Sequence, residues 1–169
     1  MDEILVSSSI HSNYSFKMKI LFLNLIFIPA ILLSQDSPEI QISQMLDSWH
    51  NAAANADMTA YFDKIDADGI YIGTDATEYW TKQEFYDWSK PYFDKGKAWT
   101  FKAKERHIYF IEDQSLAWFY EKLDASYGEL RGSGVIRFKE GEWKIMQYVL
   151  SLPVPNEQFK TILELLAPK

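Results

Sequence analysis

Hydrophobic positions run mainly at helical spacing before Trp99 and mainly alternate from there to Ser151. Ile42, Met45, Leu46, Trp49 and Ala53 recur at three- and four-residue spacing, which predicts an amphipathic helix. Ser37 before Pro38 supplies its N-cap and its first helical residue. Asp57 can cap a short second helix over "MTAYFDKI". "GIYIG" alternates as a strand, and "ATEYW" reads as its short return. Thr81 and Glu84 have capping-box spacing and precede Phe85, Trp88 and Tyr92 at helical intervals, with Pro91 expected to end or kink that helix near Lys90. From Trp99 onward the period is two. Runs over 99–112, 115–126, 129–139 and 142–151 predict an antiparallel meander, its last turn the tight "KEGEW". Pro153 and Pro155 break it, and Asn156 is expected to cap a last helix with Phe159, Ile162, Leu163 and Leu166 on one face.

This order predicts an α+β domain: a curved antiparallel sheet with helices on its concave face, forming a cone-like pocket, plus a C-terminal helix. Gly132 and Gly134, two apart on one strand face, fit bending or close approach there. The linking stretch "GTDATEYW", Gly73–Trp80, reads most simply as a structural hairpin. Gly73 is expected to permit an unusual backbone conformation, Thr74 and Asp75 to bond within the turn, and Glu78 to pair with a cation across it. Both parities of the last strands carry apolar residues: Trp143, Ile145 and Val149 on one, Met146, Tyr148 and Leu150 on the other. One domain's helices cover one sheet face, so a second copy is expected to cover the other in a two-fold homodimer.

The N-terminus falls outside this pattern. Residues 1–17 form a polar extension, and Met18-Lys19 precedes an apolar run from Ile20 to Leu33. Residues 18–34 read as a signal peptide, Met18 as the true start, and 35–169 as an exported, periplasmic or secreted domain with no membrane span. The alternative is an anchor helix that is never cleaved.

Composition narrows the function. The chain is 47% apolar and 16% aromatic, so a packed core is expected. Its net charge is −7, and the first 34 residues contribute none of it, since their two acids balance two lysines. That charge argues against a nucleic-acid or anionic-membrane surface. The absence of cysteine excludes thiolate metal sites, thiol nucleophiles and disulfides. The histidine spacing gives no metal motif, and no phosphate loop, nucleophile elbow or dinucleotide fingerprint is present, so no metal or cofactor is expected.

Glu121 is the leading chemical candidate. It shares a strand face with Ala117, Phe119, Leu123 and Ala125, all apolar. A carboxylate there must be paired, or protonated with a raised pKa, and that apolar environment is the one a general base needs. The structural alternative is an ion pair with an arginine on a neighbouring strand, Arg131 or Arg137, with Arg106 on another strand. His50, one turn after Leu46, can reach the cone mouth as acid or base, or sit buried against backbone. Tyr71, Asp75, Trp99, Arg131 and Tyr148 complete the expected ligand-binding set, suited to a hydrophobic small molecule.

Trp49-His50, "YIGTDATEYW", "PYFDKG" with Trp99, Arg106, "AWFYEKL", "YGELRGSGV" and "WKIMQYVLSLPVPN" together resemble the SnoaL-like branch of the nuclear transport factor 2 superfamily, over nearly all of 35–169. The resemblance implies a cone fold, a pocket between helices and sheet, and frequent homodimerisation. It implies no single activity: relatives include isomerases, cyclases, dehydratases and domains that only bind or assemble. The His–Asp pair of dehydratase-type relatives and the carboxylate base and Tyr/Asp oxyanion hole of ketosteroid isomerases do not map residue by residue onto this chain. Two classes therefore stand: cofactor-free acid–base catalysis on a hydrophobic small molecule, or a non-catalytic ligand-binding or assembly domain.

Overall fold

The computed structural model describes residues 36–167. The expected extension and signal peptide, 1–34, lie outside the described residues. The elements are α1 (Pro38–Ala54), α2 (Met58–Asp63), β1 (Ile65–Ile72), β2 (Tyr79–Thr81), α3 (Lys82–Phe93), β3 (Lys102–Phe110), β4 (Leu116–Ala125), β5 (Gly128–Lys139), β6 (Glu142–Ser151), a 3-10 turn (Asn156–Gln158) and α4 (Phe159–Leu166). Ser37 and Asp57 cap α1 and α2, and Thr81 with Glu84 closes a reciprocal capping box on α3.

The six strands form one open, curved sheet in the order β2-β1-β6-β5-β4-β3. The α+β architecture is the one expected, with one refinement. β1 runs parallel to β6, so the sheet is mixed, while all its other pairings are antiparallel. α1, α2 and α3 cover one face. Ile42, Leu46 and Trp49 of α1 and Phe85 and Phe93 of α3 are buried with Phe119, Leu123, Leu130, Ile136 and Ile145 of the sheet. Burying each such side chain stabilises the fold by about 1.5–3 kcal/mol.

Two bulges override simple alternation. Val135 pairs with Gln147 but Ile136 with Ile145, so Met146 is the extra residue. The buried set on β6 is therefore Trp143, Ile145, Tyr148 and Leu150, and Val149 falls opposite to its expected side. On β3 the register shifts between Ala103 and Glu105, leaving Lys104 as the extra residue. Arg106 is thereby turned to the covered face.

Three boundaries differ from expectation. α3 continues through Pro91, because Phe93 is buried and the Asp94 N–H closes onto the Lys90 carbonyl at 2.9 Å. β3 begins at Lys102, since Trp99 and Phe101 turn inward before it. Asn156 does not cap α4: it lies inside a 3-10 turn opened by the Pro155 carbonyl, which accepts from the Gln158 N–H at 2.9 Å. None of the α4 residues is buried, and Phe159, Leu163 and Leu166 face solvent.

Candidate functional site

Glu121 lies fully buried at the centre of β4, with Arg106 of β3 directly opposite in the register. Its Oε2 accepts from Arg106 Nε at 2.9 Å and lies 2.8 Å from Nη2. Its Oε1 lies 2.8 Å from His50 Nε2 and accepts from the Tyr148 hydroxyl at 3.1 Å. A carboxylate offers about four lone-pair directions; three of them take hydrogen bonds, and Arg106 Nη2 adds a close charge contact. Arg106 is fixed in turn by α1: Nη1 donates to the Ser43 carbonyl at 3.0 Å and to Ser43 Oγ at 2.8 Å, and Nη2 donates to Asp47 at 2.9 Å. Gly132 makes the arrangement possible, because a Cβ there would collide with the Tyr148 hydroxyl and crowd Glu121 Oε1.

Of the two states open to Glu121, the paired one is found, and its partner is Arg106. Arg137 instead bonds Asp66 at 2.7 Å, and Arg131 is exposed on the uncovered face beside Tyr120. Burial alone pushes the Glu121 carboxyl up, but the hydrogen bond and charge of His50 and the Arg106 guanidinium outweigh it, so the group is held below the ordinary carboxyl range. Burial, reinforced by the Glu121 charge, raises the Tyr148 phenol well above its usual value. An ionised carboxylate can only accept, so His50 Nε2 carries hydrogen. His50 Nδ1 is buried and has no partner among the described residues.

A separate cavity of about 350 Å³ opens beside this cluster. Its walls are aromatic: Tyr71, Trp80, Phe85, Trp88, Trp99 and Phe101, with Tyr127 at the β4–β5 turn and Leu130, Leu150 and Leu152 completing them. The rings pack as one array: Tyr71 stacks on Phe85 with centroids 3.9 Å apart, Phe85 on Trp99 at 5.8 Å, and Trp80 tilts against Trp88 at 4.8 Å. Glu121, His50 and Tyr148 do not line it. Phe101 is the partition, since it also lines a smaller cleft of about 290 Å³ on the His50 side and meets the His50 ring edge-on at 6.0 Å.

Of the expected site residues, Glu121, His50 and Tyr148 meet in the polar cluster, and Tyr71 and Trp99 line the aromatic cavity. Asp75 and Arg131 join neither. Asp75 is exposed, and its Oδ1 accepts from the Thr77 N–H at 2.8 Å and the Thr77 hydroxyl at 2.6 Å, as an Asx-type turn requires. The hairpin nonetheless forms the cavity rim through Gly73, Thr74, Glu78 and Trp80. Gly73 has no left-handed backbone; its missing Cβ leaves room for the Glu78 side chain. Glu78 has no cationic partner among the described residues, contrary to expectation, and instead accepts from the Asp75 N–H at 3.1 Å. Glu78 and Tyr127 are pocket residues that strand parity could not reveal, because both lie in turns. Among the described residues, no group of His, Asp or Glu is placed to hold a metal ion, and no helix is long and apolar enough to cross a membrane.

Residues 42–155 match the family profile of the SnoaL-like domain. A comparison with curated proteins finds no match. Solved structures similar to this fold include an NTF2-like protein of unknown function from Pseudomonas putida, with a TM-score of 0.58 at 14% identity, covering 73% of this chain and 94% of that one. An NTF2-like protein from Cytophaga hutchinsonii has a TM-score of 0.58 at 15% identity, covering 70% of this chain and 100% of that one. A candidate calcium/calmodulin-dependent protein kinase II association domain from Xanthomonas campestris has a TM-score of 0.54 at 18% identity, covering 72% and 91%. At these identities the likeness is one of fold.

Proposed function

The chain belongs to the SnoaL-like domain family, and from that premise we propose that it binds a hydrophobic small molecule in the aromatic cavity without acting on it through Glu121. The observation that carries this reading is the separation of the two sites: the cavity of about 350 Å³ is lined by rings, while Glu121 is no part of its wall and is engaged by His50, Arg106 and Tyr148. A general base must reach the proton it abstracts, and Glu121 is wholly buried, hydrogen-bonded to three side chains and absent from the cavity wall. Mass spectrometry of material extracted from the purified domain tests the reading. A bound hydrophobic compound that quenches indole fluorescence on rebinding supports it. A protein that carries no such compound, and whose fluorescence no apolar probe perturbs, overturns it.

One observation favours acid–base catalysis as a second reading. Glu121 orients His50 through Nε2 and leaves Nδ1 without a partner, the form of a carboxylate–imidazole dyad. In that reading His50 is the base, Glu121 the positioning residue, and substrate enters the cleft of about 290 Å³ that His50 and Phe101 both line. Turnover of the extracted compound that disappears in His50→Gln, with its binding intact, would select this reading over simple binding.

Export and assembly belong to the same proposal. The Met18-Lys19 start and the Ile20–Leu33 run support a mature N-terminus near Gln35, outside the cytoplasm; N-terminal sequencing from the native host reading Met1 or Met18 on cytosolic protein would refute it. Tyr109 and Trp118 are exposed on the uncovered sheet face and stack at 5.8 Å, which supports a homodimer through that face. Light scattering at micromolar concentration decides between dimer and monomer.

A further inference from the structure

We infer that the aromatic cavity is built for a cationic amphiphile, an ammonium group on an aromatic or hydrocarbon body, with Glu78 as its counter-charge. This rests on the ligand-binding reading above and names the ligand class for it.

The walls carry three indoles, Trp80, Trp88 and Trp99, and the phenols of Tyr71 and Tyr127. Indole and phenol faces present negative quadrupole to the space they enclose and attract a cation. Among the described residues, no lysine, arginine or histidine lines the cavity, and Glu78 is its only ionisable acid besides the phenols. That carboxylate is half-buried, lacks an ion pair among the described residues, and is held at the rim by the single Asp75 N–H. Its charge is felt deep in the cavity: after burial and Tyr127, Glu78 contributes to raising the Tyr71 phenol, which stays neutral.

Ligand charge decides among the alternatives. An anion would enter a ring-lined space facing Glu78, in a chain of net charge −7, with no basic side chain to meet it. A neutral apolar body would cover Glu78 and strip its water without giving it a partner, which is unfavourable. A cation removes both difficulties, since its charge pairs with Glu78 while its substituents lie against the rings. A quaternary ammonium suits the cavity better than a guanidinium, because the walls offer ring faces and few acceptors. The volume of about 350 Å³ admits a headgroup with one ring or a short chain attached.

The test uses a matched pair, benzyltrimethylammonium and its neutral carbon isostere neopentylbenzene, titrated into the full chain and followed by indole fluorescence and indole N–H chemical shifts. The ammonium should bind about tenfold or more tighter than the isostere. Glu78→Gln keeps an oxygen to accept from Asp75 N–H, so it should fold as the native chain does, retain neopentylbenzene binding and lose most of the preference. Trp88→Leu, at a half-exposed rim position, should weaken the ammonium more than the isostere and serves as a second variant independent of the hairpin. Equal affinity for the two probes, tighter binding of neopentylbenzene, or a preference that survives Glu78→Gln overturns the cationic-ligand inference and leaves the apolar pocket standing. If neither probe binds, the pocket reading falls and this inference falls with it.

Discussion

Glu121 and Glu78 are both carboxylates set among aromatic rings, and they end in opposite states. Glu121 is wholly buried and holds His50, Tyr148 and both inner nitrogens of Arg106. Glu78 is half-buried at a cavity rim and holds one backbone N–H. Depth of burial therefore does not identify the available group. A buried charge must be fully partnered to be tolerated, and full partnership removes its capacity for anything else. A group at a boundary can remain incomplete because water completes it, and a ligand can take the place of that water.

The largest expected effect tests the structural side. Arg106→Ala leaves the Glu121 carboxylate buried with part of its partnership gone, and should destabilise the domain by about 3–5 kcal/mol in urea unfolding. Glu78→Gln should change stability by no more than about 0.5 kcal/mol. Similar losses from both substitutions would erase the distinction between the two carboxylates.

Acid should separate them next. The folded Glu121 carboxyl is held below its ordinary value of 4.5. A depressed carboxyl adds stability that is present above the unfolded value and is lost as pH falls through the folded one. Below about pH 4.5 the wild-type urea midpoint should therefore fall more steeply than that of Glu121→Gln, which has no proton to take up there. Parallel profiles for the two proteins would show that Glu121 is not held as the ion.

Why one carboxylate was more legible than the other follows from backbone geometry. The apolar company of Glu121 on β4 is visible in "AWFYEKLDA", and helical spacing brings His50 to the same side. The identity of its arginine was not visible. Straight alternation from Phe101 and Ala103 points Glu105 inward, and only the bulge at Lys104 turns Arg106 towards Glu121. The bulge at Met146 likewise moves Tyr148 and Leu150 into the set begun by Trp143 and Ile145. A bulge is one unpaired residue in a register, set by both strands together, so neither strand's pattern declares it. Glu78 was hidden for a different reason: a turn has no periodicity, so its side chain's direction depends on the hairpin closing between Gly73 and Glu78.

Two tyrosines sharpen the contrast at smaller magnitude. Tyr148→Phe removes a buried hydrogen bond to Glu121 and should cost about 1 kcal/mol. Tyr71→Phe removes a hydroxyl that has no hydrogen-bond partner among the described residues, and should leave stability within about 0.5 kcal/mol. Thermal melts in which the Tyr71 variant is the more damaged would mean that its hydroxyl is already engaged, and that the cavity is less open than its walls indicate.

Gly73→Ala tests the position of Glu78 rather than its charge. Gly73 has an ordinary backbone conformation, so an added methyl brings no left-handed strain. It does meet the Glu78 side chain, whose outer atoms occupy the space that the missing Cβ leaves free. The carboxylate can swing away, but the Glu78 Cβ, 2.9 Å from the added methyl, moves only with the hairpin backbone, so stability should fall by about 1 kcal/mol. Displacing Glu78 should nevertheless break its contact with the Asp75 N–H and carry the charge away from Tyr71. The preference for benzyltrimethylammonium over neopentylbenzene should then shrink although every acidic and aromatic residue is still present. A Gly73→Ala protein that keeps the full preference would show that the position of Glu78 against the rings does not matter, and that any selectivity for cations comes from the rings and the overall charge.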